Sequence, residues 1–239
     1  MANHLQLDGG LTIEYQLAPN MVIFSHGFGV RRDARRLFTD IANALPVNYG
    51  YILFDYYDYG PDGTIFTTIA DQQARLQAVF AWLQNIQPDA QLNLVAHSIG
   101  CVIAALVAPP NLTHVCFLAP PLAVGGQTRA YFTGKEGSFC DEQGVWHVPR
   151  TDGSISLIPS ALFDEMEAIN AEHLLHDFAV QQPLLLVTAG NDQVLSDTDY
   201  TQLSKLPTVI ATVIPNASHD FAEAARAPLV DCILKTLRS

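Results

Sequence analysis

The stretch that decides the fold is Val95-Ala96-His97-Ser98-Ile99-Gly100. A short apolar run, Leu92-Asn93-Leu94-Val95, leads into it, and Cys101-Val102-Ile103-Ala104-Ala105-Leu106-Val107 leads out. The first reads as a buried strand and the second as the opening of a helix. A serine at so sharp a strand-to-helix turn is pushed out of the sheet. Its Oγ is exposed and the first helical N–H groups lie beside it, the setting an attacking nucleophile needs. The turn demands small neighbours because strand and helix pack closely around it. Gly100 meets that demand on one side and Ala96 on the other. Ala96 leaves the match to G-x-S-x-G one methyl short, and a five-residue pattern recurs by chance, so its weight rests on partners elsewhere in the chain.

The chain has 239 residues, 49% of them hydrophobic and only 15% charged, which fits one large α/β core with an insertion or, less well, two small domains. The formal net charge of −12 argues against a nucleic-acid partner, since neutralising phosphates needs a basic face. No basic segment followed by an apolar one marks the start, and no apolar run approaches the ~18 residues of a membrane span. The four cysteines, Cys101, Cys116, Cys140 and Cys232, form no C-x-x-C pair. They read as free thiols in a reducing compartment, and a cytoplasmic location is expected.

Residues 5–7 and 11–17 flank Asp8-Gly9-Gly10 and predict a hairpin. Short apolar runs at 21–25, 51–54, 92–95, 114–118, 184–187 and 209–214 predict strands, most of them buried on both faces. Helices are predicted over 33–45 with Asp33 as N-cap, 68–87, 160–175, 197–206 and 219–237. Strands alternating with helices imply a mostly parallel sheet with helices on both faces. The rhythm breaks at 123–177, a glycine-rich stretch with its own predicted hairpin (145–150 and 154–158). It reads as an insertion above a core made of 1–122 and 178–239.

Three predicted strand ends carry reactive side chains. Ser98 follows the strand at 92–95. Gly190-Asn191-Asp192 follows 184–187, and Ser218-His219 follows 209–214. In an open parallel sheet such loops share the carboxyl edge, where ligands bind. A fourth loop, His26-Gly27-Phe28-Gly29, follows the strand at 21–25, and its glycines let backbone N–H groups turn towards a ligand. The N–H of Phe28 and the N–H of Ile99 are the candidate oxyanion donors.

These four motifs, in this order and at these strand ends, resemble the α/β-hydrolase-fold serine hydrolases, esterases and lipases among them. The resemblance covers residues 21–220. It implies an eight-stranded sheet whose first strands are antiparallel, with a lid inserted after the sixth strand. It also implies a catalytic set of Ser98, Asp192 and His219 with Phe28 and Ile99 as oxyanion hole, and no metal or cofactor. The expected activity is hydrolysis of carboxylic esters of short or medium acyl or aryl groups through an acyl-Ser98 intermediate. Amide, thioester or carbon–carbon hydrolysis, or a low-turnover binding module on the same fold, are the alternatives. The expected partner is a small-molecule ester or amide. The chain departs from the family after Phe54. It reads Asp55-Tyr56-Tyr57-Asp58-Tyr59-Gly60-Pro61 where many members have Asp-x-Arg-Gly-x-Gly, which leaves that wall of the site undefined.

Other residues have plainer readings. Asp197 and Asp199 rival Asp192 but look like helix-start residues, and His176 rivals His219 but lies in the insertion. His26 and His97 read as supports for the oxyanion loop and the serine turn. His173 and His176 lack a third metal ligand. Arg31, Arg32, Arg35 and Arg36 read either as a rim for substrate carboxylate or phosphate or as a solvated helix start paired with acids such as Asp33 and Asp40. Within the insertion, Tyr131, Phe132 and Trp146 are candidate substrate-binding residues, roofing an apolar group. The insertion's excess of acidic side chains leaves room for an amine-bearing substrate.

Overall fold

In the computed structural model, which describes residues 2–239, the elements follow one another as β1 (Asn3–Gln6), β2 (Thr12–Gln16), β3 (Asn20–Ser25), α1 (Leu37–Ala44), β4 (Tyr49–Phe54), β5 (Asp58–Gly60), β6 (Gly63–Ile65), α2 (Ile69–Ile86), β7 (Gln91–His97), α3 (Ile99–Val107), β8 (Leu112–Leu118), α4 (Gly126–Thr133), β9 (Phe139–Cys140), β10 (Val145–Pro149), β11 (Ile155–Pro159), α5 (Ser160–Ala168), α6 (Ala171–Gln181), β12 (Leu184–Ala189), α7 (Thr201–Ser204), β13 (Val209–Ile214) and α8 (Arg226–Leu237). The main sheet has eight strands in the order β1-β2-β4-β3-β7-β8-β12-β13. The β1–β2 and β2–β4 pairs are antiparallel, and every pair from β4 to β13 is parallel.

The apolar runs become strands because helices cover both faces. On one face α2, α3 and α6 pack over Ile23, Ile52, Leu94, Phe117 and Leu186. On the other, α1 and α8 cover Val22, Phe24, Val95, Leu118 and Val187. Their inaccessibility explains why the strands read as continuous rather than alternating. Helix α2 opens with a reciprocal capping box between Thr68 and Asp71.

Several predicted helices are shorter in the structure. The one predicted over 33–45 begins at Leu37, and Asp33 caps nothing. Ala34, Arg35 and Arg36 all have positive φ, forming a tight turn whose Arg32 N–H is held by the Asp55 carboxylate at 2.7 Å. The one predicted over 160–175 is two helices, because Asn170 caps α6 by accepting from the His173 N–H. Only Thr201–Ser204 of 197–206 is helical. His219 lies in a loop, since the helix predicted to begin there starts at Arg226.

Residues 123–177 hold α4, β9–β11, α5 and most of α6. The predicted hairpin is the antiparallel β10–β11 pair. It belongs to a second sheet, β5-β6-β11-β10-β9, in which β11 runs parallel to β6. The segment is thereby tied to the loop after β4. Gly63 makes the junction, since a Cβ there would lie 2.0 Å from the Ile155 carbonyl oxygen. Val148, Ile158, Leu162, Phe163 and Met166 from this segment are buried in one cluster with Phe66, Ile69 and Leu76. Helix α6 continues past 177 to Gln181 and packs within the main body.

Candidate active site

Strand β7 delivers Ser98 into a turn with φ 54° and ψ −130°. A β-carbon in that region is strained by about 1–3 kcal/mol, tolerated only when the surroundings enforce it. Here they do. The Ser98 N–H donates to Leu118 O at 2.9 Å, and the Cys101 N–H donates to Ser98 O at 2.9 Å. Gly100 lets α3 touch β3, because a Cβ there would stand 2.3 Å from Ser25 O and 2.7 Å from His26 O. Ser25 Oγ donates to Gly100 O at 2.8 Å, and Tyr56 OH donates to Ser25 Oγ at 2.7 Å. Ala96 is buried and its methyl is accommodated.

The three side chains from distant loops meet. His219 Nε2 lies 3.0 Å from Ser98 Oγ, and His219 Nδ1 lies 2.8 Å from Asp192 Oδ2. Asp192 Oδ1 accepts the backbone N–H groups of Val194 at 2.8 Å and Leu195 at 2.9 Å. Burial by itself raises the Asp192 carboxyl, but the His219 ring and those two N–H groups outweigh it and hold the group below its ordinary value. Asp197 and Asp199 bond instead to Ser196 and Thr201. His176 lies on the surface of α6 beside Asp177.

The loops that carry Asp192 and His219 are bound to each other. Gly190 N–H donates to Ile214 O at 3.0 Å and Asn191 N–H to Ala217 O at 2.9 Å. The His219 loop is clamped from outside by Arg35, paired with Asp220, and by Arg226, whose Nε donates to Phe221 O at 2.9 Å. From inside, His97 Nε2–H donates to His219 O at 2.9 Å, its ring 4.9 Å from that of His219. Burial and the neighbouring His219 push His97 down to about 4, so it is neutral at pH 7, and its buried Nδ1 has no partner among the described residues. His26 is also fully buried and pushed down to about 4 by desolvation. Its Nδ1–H donates to Gly27 O at 2.9 Å, and its Nε2 accepts the Tyr56 N–H at 2.9 Å. That brace sets the loop carrying Phe28 against the serine turn, where a Cβ on Gly27 would come within 3.2 Å of Ser98 Cβ. Among the described residues, neither the Phe28 nor the Ile99 N–H has an acceptor in the protein.

The Phe28 ring heads an aromatic cluster, with Phe66 at 4.8 Å, Phe132 at 5.2 Å and Tyr57 at 6.2 Å between centroids. Of the three insertion residues named from sequence, only Phe132 touches this cluster directly. Tyr131 packs edge-on against Phe132 at 5.0 Å and is otherwise exposed. Trp146 sits on β10 opposite Ile158 and Cys140 and packs at the edge of the same core, with no ring pair to Phe28, Phe66 or Phe132 among the described residues. Sequence reading missed Phe66, which lies in the turn-rich stretch after β4, and the Tyr56 brace.

The arginines are mostly committed to acids. Arg32 pairs with Asp55 (2.8 Å), Arg36 with Asp40 (3.5 Å) and Arg35 with Asp220, while Arg31 stacks 4.2 Å over the Tyr59 ring. Arg32 and Arg75, whose Nη1 reaches Asp55 O at 3.2 Å and whose Nη2 meets Asp58 at 2.9 Å, form the wall that the absent family arginine left undefined. All four cysteines are free. Among the described residues no three His, Cys, Asp or Glu side chains cluster as metal ligands, and no helix is long and apolar enough to cross a membrane.

Residues 22–231 match the model of the alpha/beta hydrolase family. No curated protein sequence matches the chain. Among solved structures it is similar to the esterase domain of a Rhodothermus marinus protein, at 20% identity and TM-score 0.68, covering 98% of this chain and 96% of that one. It is similar to Est1E from Butyrivibrio proteoclasticus with ferulic acid bound, at 15% identity and TM-score 0.71, covering 100% of both chains. It is also similar to an a/b serine hydrolase without lid from Xanthomonas campestris, at 18% identity and TM-score 0.62, covering 100% of this chain and 93% of that one.

Proposed function

Because the chain belongs to the alpha/beta hydrolase family, we propose that it is a serine hydrolase of carboxylic esters carrying short or medium acyl or aryl groups. The observation that carries this reading is the continuous hydrogen-bonded line from Ser98 Oγ through the His219 ring to Asp192. A serine hydroxyl is too weak a nucleophile at neutral pH without a base. His219 Nε2 takes the proton as Oγ attacks the ester carbonyl. Asp192 holds the proton on Nδ1 and stabilises the imidazolium that forms. The oxyanion of the tetrahedral intermediate sits between the free N–H groups of Phe28 and Ile99. His219 then returns its proton to the departing alcohol, and the acyl-Ser98 ester is hydrolysed by a water activated at the same nitrogen.

The rings of Phe28, Phe66 and Phe132 lie on the oxyanion side and support an apolar or aromatic acyl group. Ferulic acid, the ligand of the Est1E neighbour, is of the class such a slot would take. In this reading α4 roofs the slot through Phe132, while Tyr131 and Trp146 are secondary. An amine-bearing substrate is less favoured, because much of the insertion's acidity is already spent. Asp164 and Glu167 face Arg129, and Asp141 is bonded to His147.

The test is a fluorophosphonate probe followed by a series of p-nitrophenyl esters of rising chain length. The probe is expected to label Ser98 in the wild type and nothing in Ser98→Ala, which should lose roughly 10⁴-fold or more in turnover. An unlabelled Ser98, or ester turnover that survives its removal, refutes the proposal.

A further inference from the structure

His219 has no helix or strand of its own to hold it. It lies in the loop between β13 and α8, where Asn216, Phe221 and Glu223 all have positive φ. Residues with a β-carbon stay in that region only when their surroundings keep them there. The proposed chemistry nevertheless needs Nε2 kept at 3.0 Å from Ser98 Oγ. A misplacement of about 1 Å at such a point costs on the order of a hundredfold in rate.

One contact refers this loop directly to Ser98. His97 is the residue before the serine, and its Nε2–H donates to the backbone carbonyl of His219 at 2.9 Å. The route from Ser98 to His219 is therefore one peptide bond, one imidazole ring and one hydrogen bond. The other ties on the loop run elsewhere. Ala217 O accepts from Asn191 in the Asp192 loop, Asp220 pairs with Arg35 in the turn before α1, and Phe221 O accepts from Arg226 in α8. They locate the loop without reference to the serine turn.

The His97 ring is more than filling. It is buried, with its centroid 4.9 Å from that of His219 and 6.3 Å from that of Phe221, so it packs on the segment it bonds to. Donation from Nε2 leaves Nδ1 a bare acceptor, and that buried atom has no partner among the described residues. A bare buried acceptor is unfavourable, and an apolar side chain would avoid it. The Nε2–H bond is what the imidazole supplies that an apolar side chain cannot. The same ring lies flush against the Phe28 loop, since a Cβ on Gly27 would stand 3.2 Å from Nδ1. One side chain thus touches the serine turn, the His219 loop and the Phe28 loop. Resting on the serine-hydrolase reading, we propose that His97 is a positioning residue for His219, its Nε2–H fixing the His219 backbone so that the ring stays in line between Ser98 and Asp192.

Two amide substitutions separate the hydrogen bond from the space the ring fills. In His97→Gln the amide nitrogen is as many bonds from Cα as Nε2 is, so it still reaches His219 O. In His97→Asn the amide nitrogen ends where Nδ1 does and falls short. Hydrolysis of p-nitrophenyl acetate and the rate of fluorophosphonate labelling at Ser98 are measured for both, with thermal unfolding alongside. His97→Asn should lower kcat and the labelling rate by roughly 10–100-fold with KM little changed, and His97→Gln should bring both back to within about threefold of wild type. Equal kcat in the two variants, whether both low or both high, overturns the assignment, and so does a loss that follows Tm rather than the reach of the amide. If neither variant folds, NMR of the wild type with ¹⁵N-labelled histidine decides. An exchange-protected ring carrying its proton on Nε2 at pH 7 supports the tether, and the absence of any such ring overturns it. Failure of the parent reading looks different, because there the wild type itself is not labelled at Ser98 and does not turn over the ester.

Discussion

Replacing Asp192 with asparagine is isosteric, and the structure dictates which way the new amide must face. In the wild type Oδ1 accepts from the Val194 and Leu195 N–H groups, and Oδ2 meets His219 Nδ1. Only an oxygen can accept those two N–H groups, so the asparagine NH₂ is forced into the place of Oδ2. It then donates to Nδ1 and drives the histidine proton to Nε2. The ring now donates to Ser98 Oγ when it should accept from it. Turning the amide over would set NH₂ against two donors and forfeit two hydrogen bonds in a half-buried site, about 2–5 kcal/mol. The imidazolium also loses the carboxylate that stabilised it. At about 1.4 kcal/mol per tenfold, kcat should fall by roughly 10³–10⁴, with KM for a small ester little changed. Steady-state hydrolysis of p-nitrophenyl acetate, with circular dichroism to confirm folding, reads both quantities. An Asp192→Asn enzyme retaining kcat within tenfold of wild type would refute the tautomer argument.

Three further outcomes follow from particular contacts. Gly100→Ala would force a Cβ into the Ser25 and His26 carbonyl oxygens, so it should lower stability by about 1–3 kcal/mol or more and Tm by several degrees in thermal unfolding. An unchanged Tm would mean that α3 and β3 are not in contact as described. His26 and His97, buried and neutral, are both pushed down to about 4 from 6.5. The unfolded chain takes up their protons first, so their contribution is whole above about pH 6.5 and is lost as the pH falls towards 4. Urea unfolding should show the protein less stable at pH 5 than at pH 7, by on the order of 1–4 kcal/mol from this pair, and equal midpoints would contradict it. Gly27→Ala would crowd Ser98 Cβ and His97 Nδ1 at 3.2 Å, so kcat should fall while Tm changes little. Loss of folding would show instead that the loop has no slack.

The parallel part of the main sheet was legible because its strands are short, largely apolar runs, and the loops following three of them carry Ser98, Asp192 and His219. Periodicity also found α2, whose capping box marks its start. What escaped depended on partners distant in sequence. Asp33 looks like a helix N-cap, but Asp55, 22 positions on, holds the Arg32 N–H and keeps the preceding turn out of the helix. The β6–β11 pairing joins Gly63–Ile65 to Ile155–Pro159, a parallel contact that no local pattern announces. Phe132 was identified from its residue type and place in the insertion, and it meets Phe28. Trp146 was chosen on the same grounds; it lies opposite Ile158 on β10 and packs at the edge of the same core, without a ring contact to Phe28 or Phe132 among the described residues.

The ladder between β6 and β11 bears on any attempt to pare this enzyme down to a minimal scaffold. Excising residues 126–159 would strip β6 of its β11 neighbour and uncover Phe66 and Ile69. The hairpin after β4 would be left with a bare, sticky margin prone to recruit other chains. A workable truncation would have to replace that hairpin as well, so the two stretches must be engineered as one piece.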